Sequence, residues 1–171
     1  MPVVDILQYP DSRLRLKGKK VTDFGDAFQQ IVDNMFETHY AAENCAALAA
    51  TQLDIPNPPY VTVIDFSEKK DQPLCLVNAE IVERDGETNE PEGCMSVVIG
   101  YEKVKRAEKI KVNYQDRHGN PQTMEADGFM AKCIQHELDH LEGFLFVDKI
   151  SKLKKDRISK RIEKHRRIKK P

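Results

Sequence analysis

His136-Glu137-Leu138-Asp139-His140 is where residue type and spacing most directly suggest chemistry, because it spells HExxH. On a helix, histidines at i and i+4 share one face and can grip one ion, with Glu137 beside that face. Two half-buried histidines on an amphipathic helix would leave nearly the same trace. A catalytic ion usually takes three protein ligands and keeps one position for water. A third histidine six residues after the second, as in metzincin-type proteases, is ruled out because that position is Phe146. Downstream carboxylates remain available in Asp148, Asp156 and Glu163, although the last two lie in a basic tail. The better candidate is upstream: Cys94, within Glu92-Gly93-Cys94-Met95-Ser96, is either a ligand or simply a buried thiol. One thiolate with two neutral imidazoles suits Zn(II) or Fe(II), and ligand type does not separate the two. Such an ion lowers the pKa of water from about 15.7 to about 7, so the chemistry would be hydrolysis.

The histidines must sit on a rigid element, and the pattern after Asp127 and Gly128 supplies one. Met130, Cys133, Ile134, Leu138 and Leu141 are spaced for burial on a helix that Gly143 ends. A second helix is predicted from Asp26 to Tyr40, with apolar positions Phe28, Ile31, Val32, Met35 and Phe36. Proline-rich DIPNPPY precedes a β-favouring run through Val61, Val63, Ile64 and Phe66, and LCLVNAEIV forms a second such run. Ile110, Val112 and Tyr114 alternate with polar residues and DRHGNP follows, which predicts a half-exposed strand of an antiparallel pair.

The chain has 171 residues, 40% of them hydrophobic, enough for one globular domain with an appendage. Neither a membrane-length apolar run nor a secretory signal is present, which predicts a soluble, cytoplasmic protein. Cys45, Cys75, Cys94 and Cys133 form no close-spaced framework, so disulfides are not expected. The net charge of −1 conceals an asymmetry. From Lys149 to Pro171 twelve basic residues stand against Asp156 and Glu163, leaving +10 there and −11 on the rest. That tail reads as a C-terminal helix with only Leu153, Ile158, Ile162 and Ile168 to pack, along one narrow stripe.

Several segments together resemble the peptide deformylase family. EGCMS at 92–96 is similar to the family's EGCLS, and QHELDHLEG at 135–143 fits its QHExDHLxG. Cys45 to Gln52 looks like GxGxAAxQ, keeping AAxQ but carrying Cys45 and Ala47 at the glycine positions. Agreement runs from ILQYPDSRLR through Tyr101 to Arg106 and on to the basic helix. A further departure is Val98-Ile99, where the family loop usually reads Pro-Gly.

The resemblance implies an α+β fold with antiparallel strands packed around a central metal-binding helix, and an added C-terminal helix. It divides the chain into a catalytic domain, 1–148, and a basic helix, 149–171. It implies Cys94, His136 and His140 as ligands of Fe(2+), with Zn(2+), Ni(2+) or Co(2+) able to substitute. Glu137 would be the general base and then acid, while Gln52 and the backbone N–H of Met95 would stabilise the oxyanion. Arg106, Glu92 and Asp139 would be supporting residues. Substrates would be nascent formyl-methionine chains bound extended beside a sheet edge, with formate released. The basic helix would face the ribosome, and deleting Lys152 to Pro171 would weaken that binding but spare hydrolysis. Neither a membrane nor DNA is expected as a partner. Both positions carry a Cβ where glycine would have none; Ala47 would narrow the approach beside the formyl-methionine, whereas Cys45 would add a polarizable thiol. On this reading kcat/KM would fall, and would recover in the double change Cys45→Gly with Ala47→Gly. Two rival readings are a zinc peptidase using the same HExxH helix and a catalytically weakened relative acting through ribosome binding.

Overall fold

Central β-strands buried on both faces need helices on both sides, and the chain supplies them. The structure is a computed structural model and describes residues 3–169, without the side chains of residues 98–100, 168 and 169. Val98, Ile99 and Ile168 therefore lie outside the described side chains. The strands are β1 (Ala47–Ala49), β2 (Val61–Ile64), β3 (Leu74–Asp85), β4 (Thr88–Cys94), β5 (Val97–Arg106), β6 (Lys109–Gln115) and β7 (Pro121–Asp127). The helices are α1 (Asp26–Ala41), α2 (Gly128–Leu141) and α3 (Lys152–Lys169). Five strands form one antiparallel sheet in the order β1-β2-β3-β6-β7, while β4 and β5 make a separate hairpin.

Side-chain alternation divides the large sheet between its two helices. Leu48, Val61, Val63 and Val77 join Val32 and Met35 of α1 in one apolar cluster. Their neighbours Ala47, Ala49, Ile64 and Leu76 join Ile134 and Leu141 of α2 in another. The α+β arrangement, both helices and the β6–β7 pair thus follow the sequence expectations.

The hairpin β4–β5 was not foreseen, and it carries Cys94. β4 reads TNEPEGC, with a proline and no apolar alternation, which is the signature of a strand tolerated only where its N–H edge is unpaired. Its inner face lies over a third cluster that includes Val97, Val104, Phe146, Ile158 and Ile162.

α3 docks through Ile158 and Ile162, as its narrow stripe suggests, but Leu153 is 65% exposed and takes no part. Ile158 is fully buried beside Phe146, and Arg166 donates to the carbonyl of Tyr9 at 3.1 Å. Removing the helix from Lys152 would uncover a cluster that also supports the His136 side of the molecule. Full deletion is therefore a poor probe of the helix's surface charge. Replacing Ile158 by Ala should lower unfolding free energy by about 2–5 kcal/mol in urea denaturation. Leu153→Ala should change it by less than about 0.5 kcal/mol. Equal effects would contradict this mode of docking.

Candidate metal centre

α2 must end cleanly just beyond His140, and Gly143 provides the stop. Gly143 has φ +86°, its N–H donates to the His140 carbonyl at 3.0 Å, and the Phe144 N–H donates to Asp139 O at 2.8 Å. These are the two bonds of a Schellman ending. The chain of Arg15 passes so close that a Cβ on Gly143 would meet the Arg15 carbonyl oxygen at 2.6 Å. Thr51 donates its hydroxyl to the His140 carbonyl at 2.7 Å, tying the last helical turn to the 3-10 turn Ala50–Gln52.

The helix brings His136 and His140 together, and the tight turn at Met95-Ser96 brings in Cys94 from the end of β4. The Nε2 atoms of His136 and His140 are 3.1 Å apart, and Cys94 Sγ is 3.3 Å from His140 Nε2. Ligands of a tetrahedral ion with metal–N near 2.0 Å and metal–S near 2.3 Å would be separated by about 3.3 and 3.6 Å. The spacing and the donor set fit such an ion. Among the described residues, Cys94, His136 and His140 are the cluster able to hold a metal. The downstream carboxylates lie elsewhere. Asp148 pairs with Arg15 and Lys155, and Asp156 and Glu163 lie exposed on α3.

A buried carboxylate orients the first imidazole. Glu92 Oε1 accepts from His136 Nδ1 at 2.8 Å, which leaves Nε2 to face the cluster. The same carboxylate takes a two-pronged contact from Arg106 at 2.8 and 2.9 Å, and Arg106 also pairs with Asp139. Burial would raise the Glu92 carboxyl, but hydrogen bonds from Arg106 and His136 outweigh it and hold the pKa at about 2. Phe146 stacks on the His136 ring with centroids 6.2 Å apart. The three charged residues expected as supports are thus joined in one network. Phe146, Thr51 and Ser96 were not singled out by sequence for these contacts, since each depends on packing between distant segments.

Gln52 is buried, with its amide orientation set by its neighbours. Its Oε1 accepts from the Ala49 N–H at 2.9 Å, so its NH₂ must face the other way. That group donates to Ser96 Oγ at 3.2 Å and to Cys94 Sγ at 3.5 Å. Met95 borders the cleft, and its carbonyl accepts from Gln8 Nε2 at 2.9 Å. Glu137 is 3% exposed, and its Oε2 has no hydrogen-bond partner among the described residues. Burial raises its carboxyl to about 7, a shift that a cation in the adjacent cluster would reverse. His140 Nδ1 is also buried without a partner among the described residues.

A cleft of about 520 Å³ opens over these groups, between Ala46 and Ala47 on one side and Pro91 to Met95 on the other. Cys133, His136 and Glu137 of α2 lie along it. A larger hollow of about 670 Å³ lies behind Arg106 and Asp139, lined largely by charged side chains and by none of the three cluster residues. Ala47 borders the cleft as expected, whereas Cys45 does not. The Cys45 thiol turns to α1, 3.2 Å from His39 Nδ1, and burial pushes it up to about 12. Neither residue has a positive φ, so the backbone here does not demand glycine. All four cysteines are free.

Residues 3–156 match the family profile described as polypeptide deformylase. The chain is 66% identical over 163 residues to peptide deformylase 1 of Coxiella burnetii, covering 95% of this chain and 96% of that one. It is 49% identical over 164 residues to the peptide deformylase of Chromobacterium violaceum, covering 96% of each. The crystal structure of a peptide deformylase from Legionella pneumophila superposes with a TM-score of 0.91 at 38% identity, over 99% of this chain and 100% of that one. That of the Ehrlichia chaffeensis peptide deformylase in complex with actinonin gives 0.89 at 32% identity, over 96% and 98%. With a Cys-His-His cluster at the cleft and likeness along nearly its whole length, the chain belongs to the polypeptide deformylase family, metal-dependent hydrolases that remove the N-formyl group from nascent polypeptides.

Proposed function

We propose that Cys94, His136 and His140 hold a single Fe(2+), with Zn(2+), Ni(2+) or Co(2+) able to substitute, and that Glu137, Gln52 and Met95 carry out deformylation around it. The convergence of three donor atoms within 4.8 Å of one another, beside a buried carboxylate oxygen with no hydrogen-bond partner among the described residues, carries this reading. The bound ion supplies Lewis acidity that makes water nucleophilic near neutral pH. Glu137 takes the proton from that water and delivers it to the departing amine, as base and then acid. Attack places negative charge on the formyl oxygen, and the Gln52 NH₂ and Met95 N–H are the donors assigned to it. Tying Oε1 of Gln52 to the backbone means its donor need not reorient during the reaction. The substrate runs extended along the cleft between β1 and β4, its methionine side chain toward Cys133.

The assigned roles separate on mutation. Cys94→Ser or His136→Ala should lose the metal, measured by elemental analysis, because among the described residues the cluster has no spare ligand. Glu137→Gln should retain it while formate release falls by about 10²- to 10⁴-fold. A near wild-type rate in Glu137→Gln would remove the proton role.

We also assign residues 1–148 to the catalytic unit and 149–171 to a basic surface helix facing the ribosome. Chains emerging from ribosomes are the substrate, which would place the protein in the cytoplasm. The exposed residues Arg157, Lys160 and Lys164 support this reading because they carry charge that packing does not use. Reversing all three to Glu should weaken ribosome binding and flatten its salt dependence. Hydrolysis of a short formylated peptide should be kept. Unchanged ribosome affinity would overturn the assignment.

A further inference from the structure

Gln52 and Met95, the two donors assigned to the formyl oxygen, follow strands of different sheets, β1 and β4, and one short stretch of chain bridges them. Residues Leu7 to Tyr9 form that bridge. The Leu7 N–H donates to the Gln52 carbonyl at 2.8 Å, and the Tyr9 N–H donates to the Ser96 carbonyl at 2.7 Å. Between them, Gln8 Nε2 donates to the Met95 carbonyl at 2.9 Å. Three consecutive residues therefore pin the carbonyl of one donor residue and two successive carbonyls of the turn that carries the other. Upstream, the Ile6–Leu53 bridge and the bond from the Asp54 N–H to the Asp5 carbonyl at 3.0 Å continue the same strap.

Two of the three links are made by backbone and survive any side-chain change; the Gln8 amide is the one that a substitution cuts. Its orientation is settled by its partner, because a carbonyl oxygen only accepts. Its own Oε1 is buried and has no hydrogen-bond partner among the described residues. Burying an acceptor unpaired costs stability, so folding alone is a weak reason for an amide here. Methionine would fill a similar volume without that cost. Held at the Met95 carbonyl, the amide instead limits rotation of the two planar peptide units that meet at the Met95 Cα, and the Met95 N–H belongs to one of them. An oxyanion donor stabilises only where its N–H points at the developing charge within hydrogen-bond range. We propose that Gln8 is a positioning residue for deformylation, setting the direction of the Met95 N–H relative to the Gln52 NH₂. This role rests on the assignment of Gln52 and Met95 as the oxyanion donors.

The test is Gln8→Met, with kcat and KM for formyl-Met-Ala measured together with metal content. The kcat per bound metal should fall by about five- to thirtyfold, less than the roughly 10²- to 10³-fold that loss of a whole oxyanion donor costs. KM should stay within about twofold, since the alignment matters only once charge develops in the transition state. Gln8→His should recover most of the rate, because imidazole Nε2 lies as many bonds from Cα as the amide nitrogen and can donate to the same carbonyl. A kcat near wild type in Gln8→Met overturns the role, as does a fall that metal content explains, that appears in KM alone, or that persists unchanged in Gln8→His. No formate from formyl-Met-Ala with the metal-loaded wild-type protein would instead overturn the deformylase reading, and the positioning role with it.

Discussion

One buried carboxylate holds the candidate centre together. Glu92 lies on β4, accepts from Arg106 on β5 and from His136 on α2, and is 5% exposed. Burying such charges is expensive, and an apolar replacement often stabilises as well, so stability is a weak reason for the network. Geometry is the stronger one. The pairing fixes the hairpin against the helix, and the hairpin ends in Cys94. Without it, the thiol and the two imidazoles would belong to elements with little else to align them, since β4 offers few apolar side chains to packing. Asp139 extends the clamp by one helical turn and satisfies a further face of the Arg106 guanidinium.

The remaining architecture serves that alignment. The five-stranded sheet gives α2 a flat apolar bed, and the 3-10 turn at Ala50–Gln52 brings the Gln52 amide to the thiol from the opposite side. The cleft is therefore bounded by two edges that belong to different sheets, β1 and β4. An extended peptide lying between them meets backbone on both sides and side chains of α2 along its length.

The helix that carries His136 and His140 was legible because HExxH and its apolar spacing repeat on the same period, and an i, i+4 pair needs no tertiary information. Cys94 was not legible on spacing alone. Its strand is polar and proline-containing, and what makes it a partner of α2 is a contact between residues 92 and 136 that no local pattern records. The same limit applies to Cys45, whose thiol faces α1 rather than the cleft because His39, six residues earlier, takes it. α3 shows the reverse case, where an apolar stripe was visible but could not say that Leu153 would fall off it. Stripes identify candidates for burial, and the packing partner decides which are used.

Metal-dependent deformylation by a single ion at Cys94, His136 and His140 is the central claim, and metal content measured together with formate release tests it most directly. Protein purified without oxygen should hold about one metal per chain, the number a mononuclear site predicts. Formate released from a formyl-methionine peptide should fall in proportion as a chelator removes that metal and return when Fe(2+) is restored. Formate release that persists in the metal-free protein would contradict the account, as would a fully loaded protein that cuts internal amide bonds and leaves the formyl group in place.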